Sequence, residues 1–203
     1  ATFFFKEDRR VQLLDRVHQL KGITFQERLG TMLEKVGRLT ELTAYLTEQV
    51  APHLVHDACR AAQLCKADLV TTMVKEFPSL QGVMGREYAQ LSGEPAVVAQ
   101  AIEEHYLPRF AGDRLPESLV GALVGLADRL DTICGCFGIG LIPSGSEDPY
   151  ALRRLAQGVM QILLSTGIDL PLSQQISKSL ELFGDRLTLP RERIAQEVMG
   201  FLA

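Results

Sequence analysis

No apolar run in the sequence approaches the roughly 20 residues that a membrane span requires. The longest stretches, such as Ser118 to Ala127, are interrupted by glycine or bounded by charge, so a membrane protein is excluded. Cysteine is sparse. Cys59, Cys65, Cys134 and Cys136 form no CxxC pair, and 4 cysteines in 203 residues do not make a disulfide framework; a reducing, cytoplasmic setting is expected. Positive charge in excess is also missing. The formal net charge of −4 excludes a generic polyanion binder, because phosphate neutralisation by Lys and Arg supplies most non-specific nucleic-acid affinity. Any RNA contact must therefore come from a local patch. The sequence starts at Ala1 rather than Met, and Phe3-Phe4-Phe5, followed by Lys6-Glu7-Asp8, is too short and too acidic in its flank for a signal peptide. A piece cut from a longer chain is the expectation. Strand-like alternation, internal repeats and low-complexity tracts are all absent.

What is present is a composition of 46% hydrophobic and 23% charged residues, enough to bury one sizeable core or two small ones. From Thr24 onward the apolar residues Phe25, Leu29, Met32, Leu33, Val36, Leu39, Leu42 and Leu46 recur at spacings of three and four, the mark of one buried helix face. Thr24 and Glu27 have capping-box spacing, which places the start near Thr24. Upstream, Arg9 to Leu20 repeats the helical spacing through Val11, Leu14, Val17 and Leu20, and Gly22 supplies a stop; the two segments predict a helical hairpin. Pro52 permits a new start, and His53 to Glu76 lacks Gly and Pro, which predicts a third long helix.

The segment Phe77 to Pro116 is rich in breakers, predicting short helices near 80–91 and 95–105 joined by loops, where function often sits. Helix is expected again over Glu117 to Cys134, then a Gly-rich loop from Gly135 to Glu147. A capped start at Asp148-Pro149 leads a helix to about Ser165. Leu172 to Phe183 and Pro190 to Leu202 read as two further amphipathic helices. The fold class is all-α. Three parts are expected: residues 1–50 as a helical hairpin packed on the bundle, 51–167 as the main helical domain, and 168–203 as terminal helices leading to a next module.

Several groups carry chemical interest. The segment Glu117 to Cys134 is apolar on nearly every side yet carries Asp128, Arg129 and Asp131. A carboxylate out of water costs several kcal/mol unless paired, so Asp128 and Asp131, three apart and neighbours on one face, need cationic partners or a metal. A structural ion pair is the plainer reading. Arg153 and Arg154 lie in the first turn of their helix, where the macrodipole disfavours positive charge. Either Glu147, Asp148 or the buried carboxylates pair with them, or they capture a phosphate. His56-Asp57 has the form of a divalent-metal doublet, but adjacent helical residues point about 100° apart, and a solvated or capping role is the default. The glycines of Gly135-Cys136-Phe137-Gly138-Ile139-Gly140 follow no strand and fit neither a dinucleotide loop nor a P-loop. Cys134 and Cys136 have no second pair nearby, which argues against zinc. No Ser–His–Asp or Cys–His arrangement is assignable from spacing.

Three stretches carry a family resemblance. They are Lys66-Ala67-Asp68-Leu69-Val70-Thr71 running on to Gly85, then Pro108-Arg109-Phe110-Ala111-Gly112-Asp113, then Ala127-Asp128-Arg129-Leu130-Asp131-Thr132. The last continues through Phe137-Gly138-Ile139-Gly140 to Asp148-Pro149-Tyr150-Ala151-Leu152-Arg153-Arg154. In this order they resemble the glycyl-tRNA synthetase β subunit family, well from Phe3 to Leu164 and weakly beyond.

The resemblance implies an HD-like helical module with flanking helices, part of an α2β2 glycine-tRNA ligase. In that family an α subunit holds the class II site for glycine and ATP, while β supplies tRNA recognition. This chain alone is predicted to be inactive, with no catalytic residues and no cofactor or metal of its own. Its expected partners are glycine tRNA and the α subunit, not a membrane or DNA. Candidate phosphate contacts, on the acceptor arm of the tRNA, are Lys35, Arg38, Arg86, Arg109, Arg114, Arg153 and Arg154.

Leu126-Ala127-Asp128-Arg129-Leu130 is also similar to a segment of HD hydrolases acting on guanosine tetraphosphate, in which the Asp binds metal. Where such hydrolases carry His-Asp, this sequence has Leu64-Cys65-Lys66-Ala67-Asp68, and a protonated lysine cannot ligate a metal. The resemblance therefore suggests a buried ion-pair core of Lys66, Asp68, Asp128 and Asp131. The alternative, a metal-dependent HD-type phosphohydrolase, would need further ligands such as His56-Asp57. A third reading is a structural spacer between modules.

Overall fold

The computed structural model describes residues 2–203. It is predominantly helical, with eleven α-helices and one small hairpin among the described residues. The amino-terminal region departs most from expectation. Helices α1 (Thr2–Asp8) and α2 (Leu13–Arg16) are short, a 3₁₀ turn follows over Val17–Gly22, and β1 (Thr24–Gln26) pairs antiparallel with β2 (Gly30–Thr31). Neither the helix start at Thr24 nor the absence of strand holds.

The reason lies in a second Thr-x-x-Glu pattern. Glu34 N–H donates to Thr31 Oγ1 at 3.2 Å and Thr31 N–H donates to Glu34 Oε2 at 2.7 Å, a complete capping box. Gly30, at a φ of 95°, breaks the helical path between this box and Phe25. Helix α3 therefore runs Met32–Val50, burying Val36, Leu39, Leu42 and Leu46 as the spacing required.

The expected third long helix is also broken. It divides into α4 (Val55–Leu64), a 3₁₀ turn at Ala67–Val70 and α5 (Thr72–Glu76). The chain leaves the helix at Cys65 and Lys66, and Thr71 starts the next one by accepting from Val74 N–H at 3.3 Å. Asp8 of α1 adds a carboxylate at the same helix start, accepting from Thr72 N–H at 2.9 Å and Met73 N–H at 2.8 Å. Helices α6 (Val83–Leu91) and α7 (Ala96–Glu104) fall where the breakers place them.

Helix α8 (Leu119–Gly138) is the axis of the molecule, packed by α3, α4 and α7 and by the three helices after it: α9 (Leu152–Thr166), α10 (Leu172–Leu182) and α11 (Arg191–Leu202). It continues through Gly135 to Gly138, residues expected in a loop. Gly135 serves close packing there, since a Cβ would come within 2.7 Å of the Phe183 ring. One apolar cluster runs from Leu13 to Leu202 and draws on nearly every helix. Each large aliphatic side chain buried in it contributes about 1.5–3 kcal/mol. Among the described residues no helix is long and apolar enough to cross a membrane.

Candidate functional site

Two groups of charge stand apart, one inside the bundle and one on its surface. Inside, α3 faces α8 across a lattice of ion pairs. Lys35 Nζ lies 2.8 Å from Asp131 Oδ2 and 3.0 Å from Asp128 Oδ1, and it donates to Thr132 Oγ1 at 2.9 Å. The Arg38 fork grips Asp131, with Nε 2.7 Å from Oδ1 and a terminal nitrogen 3.2 Å from Oδ2. Lys66 Nζ lies 2.7 Å from Asp128 Oδ2.

Three cations thus share two carboxylates, and each cation also sits over an aromatic face. Lys35 is 4.3 Å from the centre of Phe25, Arg38 is 4.1 Å from Phe183, and Lys66 is 4.2 Å from Tyr106. The ring quadrupoles help offset the surplus positive charge, at about 0.5–2 kcal/mol each. Burial alone would raise the Asp128 carboxyl, but Lys66 and Lys35 hold it well below the usual carboxylate range.

Asp68 is placed differently. Its Oδ2 accepts from Gly82 N–H at 2.6 Å and Gly85 N–H at 3.0 Å, while Oδ1 has no hydrogen-bond partner among the described residues. Burial pushes its pKa up to about 6 in spite of those N–H groups. His105, wholly buried, has Nδ1 at 2.6 Å from Ile102 O, so the proton sits on Nδ1 and Nε2 carries a bare lone pair. Burial first, then the Lys66 charge, drive its pKa well below the ordinary value. The ring is neutral, and its 3.8 Å approach to Asp128 is neither an ion pair nor a hydrogen bond.

These residues do not fit the metal that an HD-like bundle implies. The ammonium of Lys66 already stands on Asp128, the carboxylate that would have to ligate the ion. His56, of the His56-Asp57 doublet, projects into solvent with Asp57 beside it at 3.5 Å.

The cations expected on the surface divide sharply. Lys35 and Arg38 are buried and engaged on Asp128 and Asp131, which corrects their assignment as exposed phosphate contacts. Arg86 and Arg114 both close on Glu103, Arg114 at 2.6 Å. Arg109 donates to Gln81 O at 2.9 Å and leans on the Tyr106 ring.

Arg153 and Arg154 are exposed and, among the described residues, have no carboxylate within 4.0 Å. The pairing of Arg153 and Arg154 with Glu147, Asp148 or the buried carboxylates, one of the two readings open from sequence, is not formed. Asp148 instead caps α9, accepting from Leu152 N–H at 2.7 Å and Arg153 N–H at 3.0 Å. Ala151 just before has a φ of 54°, a left-handed conformation that costs a non-glycine residue about 1 kcal/mol or more.

Below the cap, Leu152, Ala156, Val159 and Ile162 face the core, while Arg153, Gln157 and Gln161 form an outward stripe at spacings of four. That stripe borders a groove of about 670 Å³ whose other wall includes Phe201 of α11 and Ala111 of the α7–α8 connection. Arg129 of α8 ties these parts together. Its guanidinium donates to the carbonyls of His105, Tyr106, Leu107 and Pro108 at 2.7–3.2 Å. Gly158 of α9 rests against the same side chain so closely that a Cβ would lie 2.6 Å from Arg129 Nε.

Sequence reasoning singled out neither His105, nor Gln157 and Gln161, nor Phe110 as functional. The glutamines were within reach, since a polar stripe at i, i+4 and i+8 opposite an apolar face can be read from α9. His105 was not, because nothing near it in sequence shows that α8 buries it.

The sequence family described as "Glycyl-tRNA synthetase beta subunit" matches residues 1–203. The chain belongs to that family. It is 54% identical over 201 residues to the glycine–tRNA ligase beta subunit of Trichlorobacter lovleyi, covering 99% of this chain and 29% of that protein. The beta subunit of Geobacter sulfurreducens is 53% identical with the same coverage. That of Syntrophotalea carbinolica is 52% identical over 202 residues, 100% of this chain and 29% of the relative. The chain thus spans under a third of these glycine–tRNA ligase beta subunits.

Proposed function

We propose that this chain is a non-catalytic, tRNA-handling part of the β subunit of a cytoplasmic glycine–tRNA ligase. It works beside an α subunit that uses glycine and ATP, in an α2β2 assembly. Membership of the family and the names of relatives above 50% identity support the setting. The observation that carries the tRNA role is the pair of exposed guanidiniums at Arg153 and Arg154, which among the described residues meet no carboxylate, in a chain where Lys35, Arg38 and Lys66 are matched by carboxylates inside. Arginine forks suit phosphate oxygens, and phosphate contacts fix the register of a bound nucleic acid.

The inner lattice supplies rigidity to this reading, with Lys66 as the central cation of an HD-type bundle. A phosphohydrolase would need Asp128 freed from Lys66. Crosslinking the full α and β subunits to glycine tRNA, with each linked residue assigned, tests the proposal. Links are expected on α9 around Arg153 and Arg154; a crosslinked complex with no link to α9 or its neighbouring loop contradicts it.

A further inference from the structure

The groove beside α9 has features that a patch of guanidiniums alone lacks. Ala156, Met160 and Phe201 give it an apolar floor, and Arg153, Gln157 and Gln161 line one edge. Among the described residues none that lines it is acidic, although the chain carries 25 Asp and Glu against 21 Lys and Arg. An anionic occupant is favoured there.

Next in the chain to the lining residue Ala111 is Phe110, 60% exposed. The loop holding this ring is tightly tied. Arg109 N–H and Arg114 N–H each donate to the Asp113 carboxylate at 2.8 Å, Asp113 N–H donates to Phe110 O at 3.2 Å, and Arg129 holds the carbonyls just upstream. An exposed aromatic ring carried on a tied loop suits stacking, and unpaired bases stack on such rings whatever their sequence. Glutamine amides carry donors and an acceptor, which suits them to base edges.

We propose that this groove receives an unpaired nucleotide of the bound RNA. Its base stacks on Phe110, its edge meets Gln157 and Gln161, and the adjoining phosphates lie at Arg153 and Arg154. The inference rests on the tRNA-handling reading and adds the class of RNA element that is held.

The test uses the complete α and β enzyme with three probes: glycine tRNA, a short single-stranded oligoribonucleotide, and a blunt RNA duplex. Phe110→Ala is expected to weaken binding of the single strand about tenfold, the usual size for loss of one stacked base. It should leave the duplex unaffected, and Phe110→Tyr should restore the loss. Gln157→Ala with Gln161→Ala should weaken the single strand by a smaller factor.

If Phe110→Ala changes nothing while Arg153→Glu with Arg154→Glu weakens tRNA binding, the nucleotide groove is wrong and the tRNA reading stands. If neither variant affects tRNA, both fail. If Phe110→Ala instead loosens the α–β assembly with RNA binding intact, the groove is a protein interface and the proposal is overturned.

Discussion

Lys35 and Arg38 on α3, and Arg153 and Arg154 on α9, look alike in sequence: cations on amphipathic helices, candidates for the same phosphate contacts. Folding separates them completely. The first pair meets Asp128 and Asp131 and lies over Phe25 and Phe183, out of water. The second, among the described residues, meets no carboxylate and stays exposed. A cation's role is thus set less by its own helix than by what lies across from it, and Asp131 is 93 residues from Arg38 in the chain. The interior pair should govern stability and the exterior pair binding.

The largest expected effect is on the inside. Asp131→Ala leaves Arg38 and much of the Lys35 charge buried and unpaired, and breaking such a pair costs about 3–5 kcal/mol. Denaturant unfolding of the variant measures this. A loss under about 1 kcal/mol would mean that water reaches the lattice.

Next in size is Gly158→Ala. Its Cβ would meet Arg129 Nε at 2.6 Å, and overpacking of this kind costs roughly 1–3 kcal/mol. Hydrogen exchange in the segment from His105 to Asp113 should rise, since Arg129 would release carbonyls it now holds.

The pH dependence of stability sharpens the comparison, because two neighbouring carboxylates act with opposite sign. Asp128 is held below its unfolded value of about 3.8, so its stabilisation is present above that pH and is lost as pH falls beneath it. Asp68 is raised to about 6, so its contribution is present below about 3.8 and is lost as pH rises through about 6. Urea midpoints across pH 3 to 8 should show Asp68→Asn gaining on the parent as pH rises through that window. Asp128→Asn should instead become less sensitive to acid. Parallel curves for all three proteins would contradict these environments.

The parts of the fold legible in sequence were those with strong period. The face of α3 carrying Val36, Leu39, Leu42 and Leu46 was one, and the breaker-bounded α6 and α7 were others. Its start was not, because two Thr-x-x-Glu patterns lie seven residues apart and only Gly30, with its positive φ, decides between them. Gly135 to Gly138 read as a loop because glycine signals either a turn or a close approach, and only the packed Phe183 shows which. At the surface, the resemblance pointed to Arg153 and Arg154. It was silent on the groove, which forms only when α11 and the loop at Phe110 come beside α9.

The smallest effect on stability belongs to the exterior pair, and the same variant gives the most direct test of the whole account. Arg153→Glu with Arg154→Glu should shift unfolding by no more than about 0.5 kcal/mol, as exposed substitutions do. In the complete α and β enzyme, glycine tRNA affinity followed against salt concentration should fall by about tenfold or more. The logarithmic salt slope should shrink by about two, one for each lost phosphate contact. Unchanged affinity and slope, with a fully folded variant, would contradict the claim that this face of the β subunit holds tRNA.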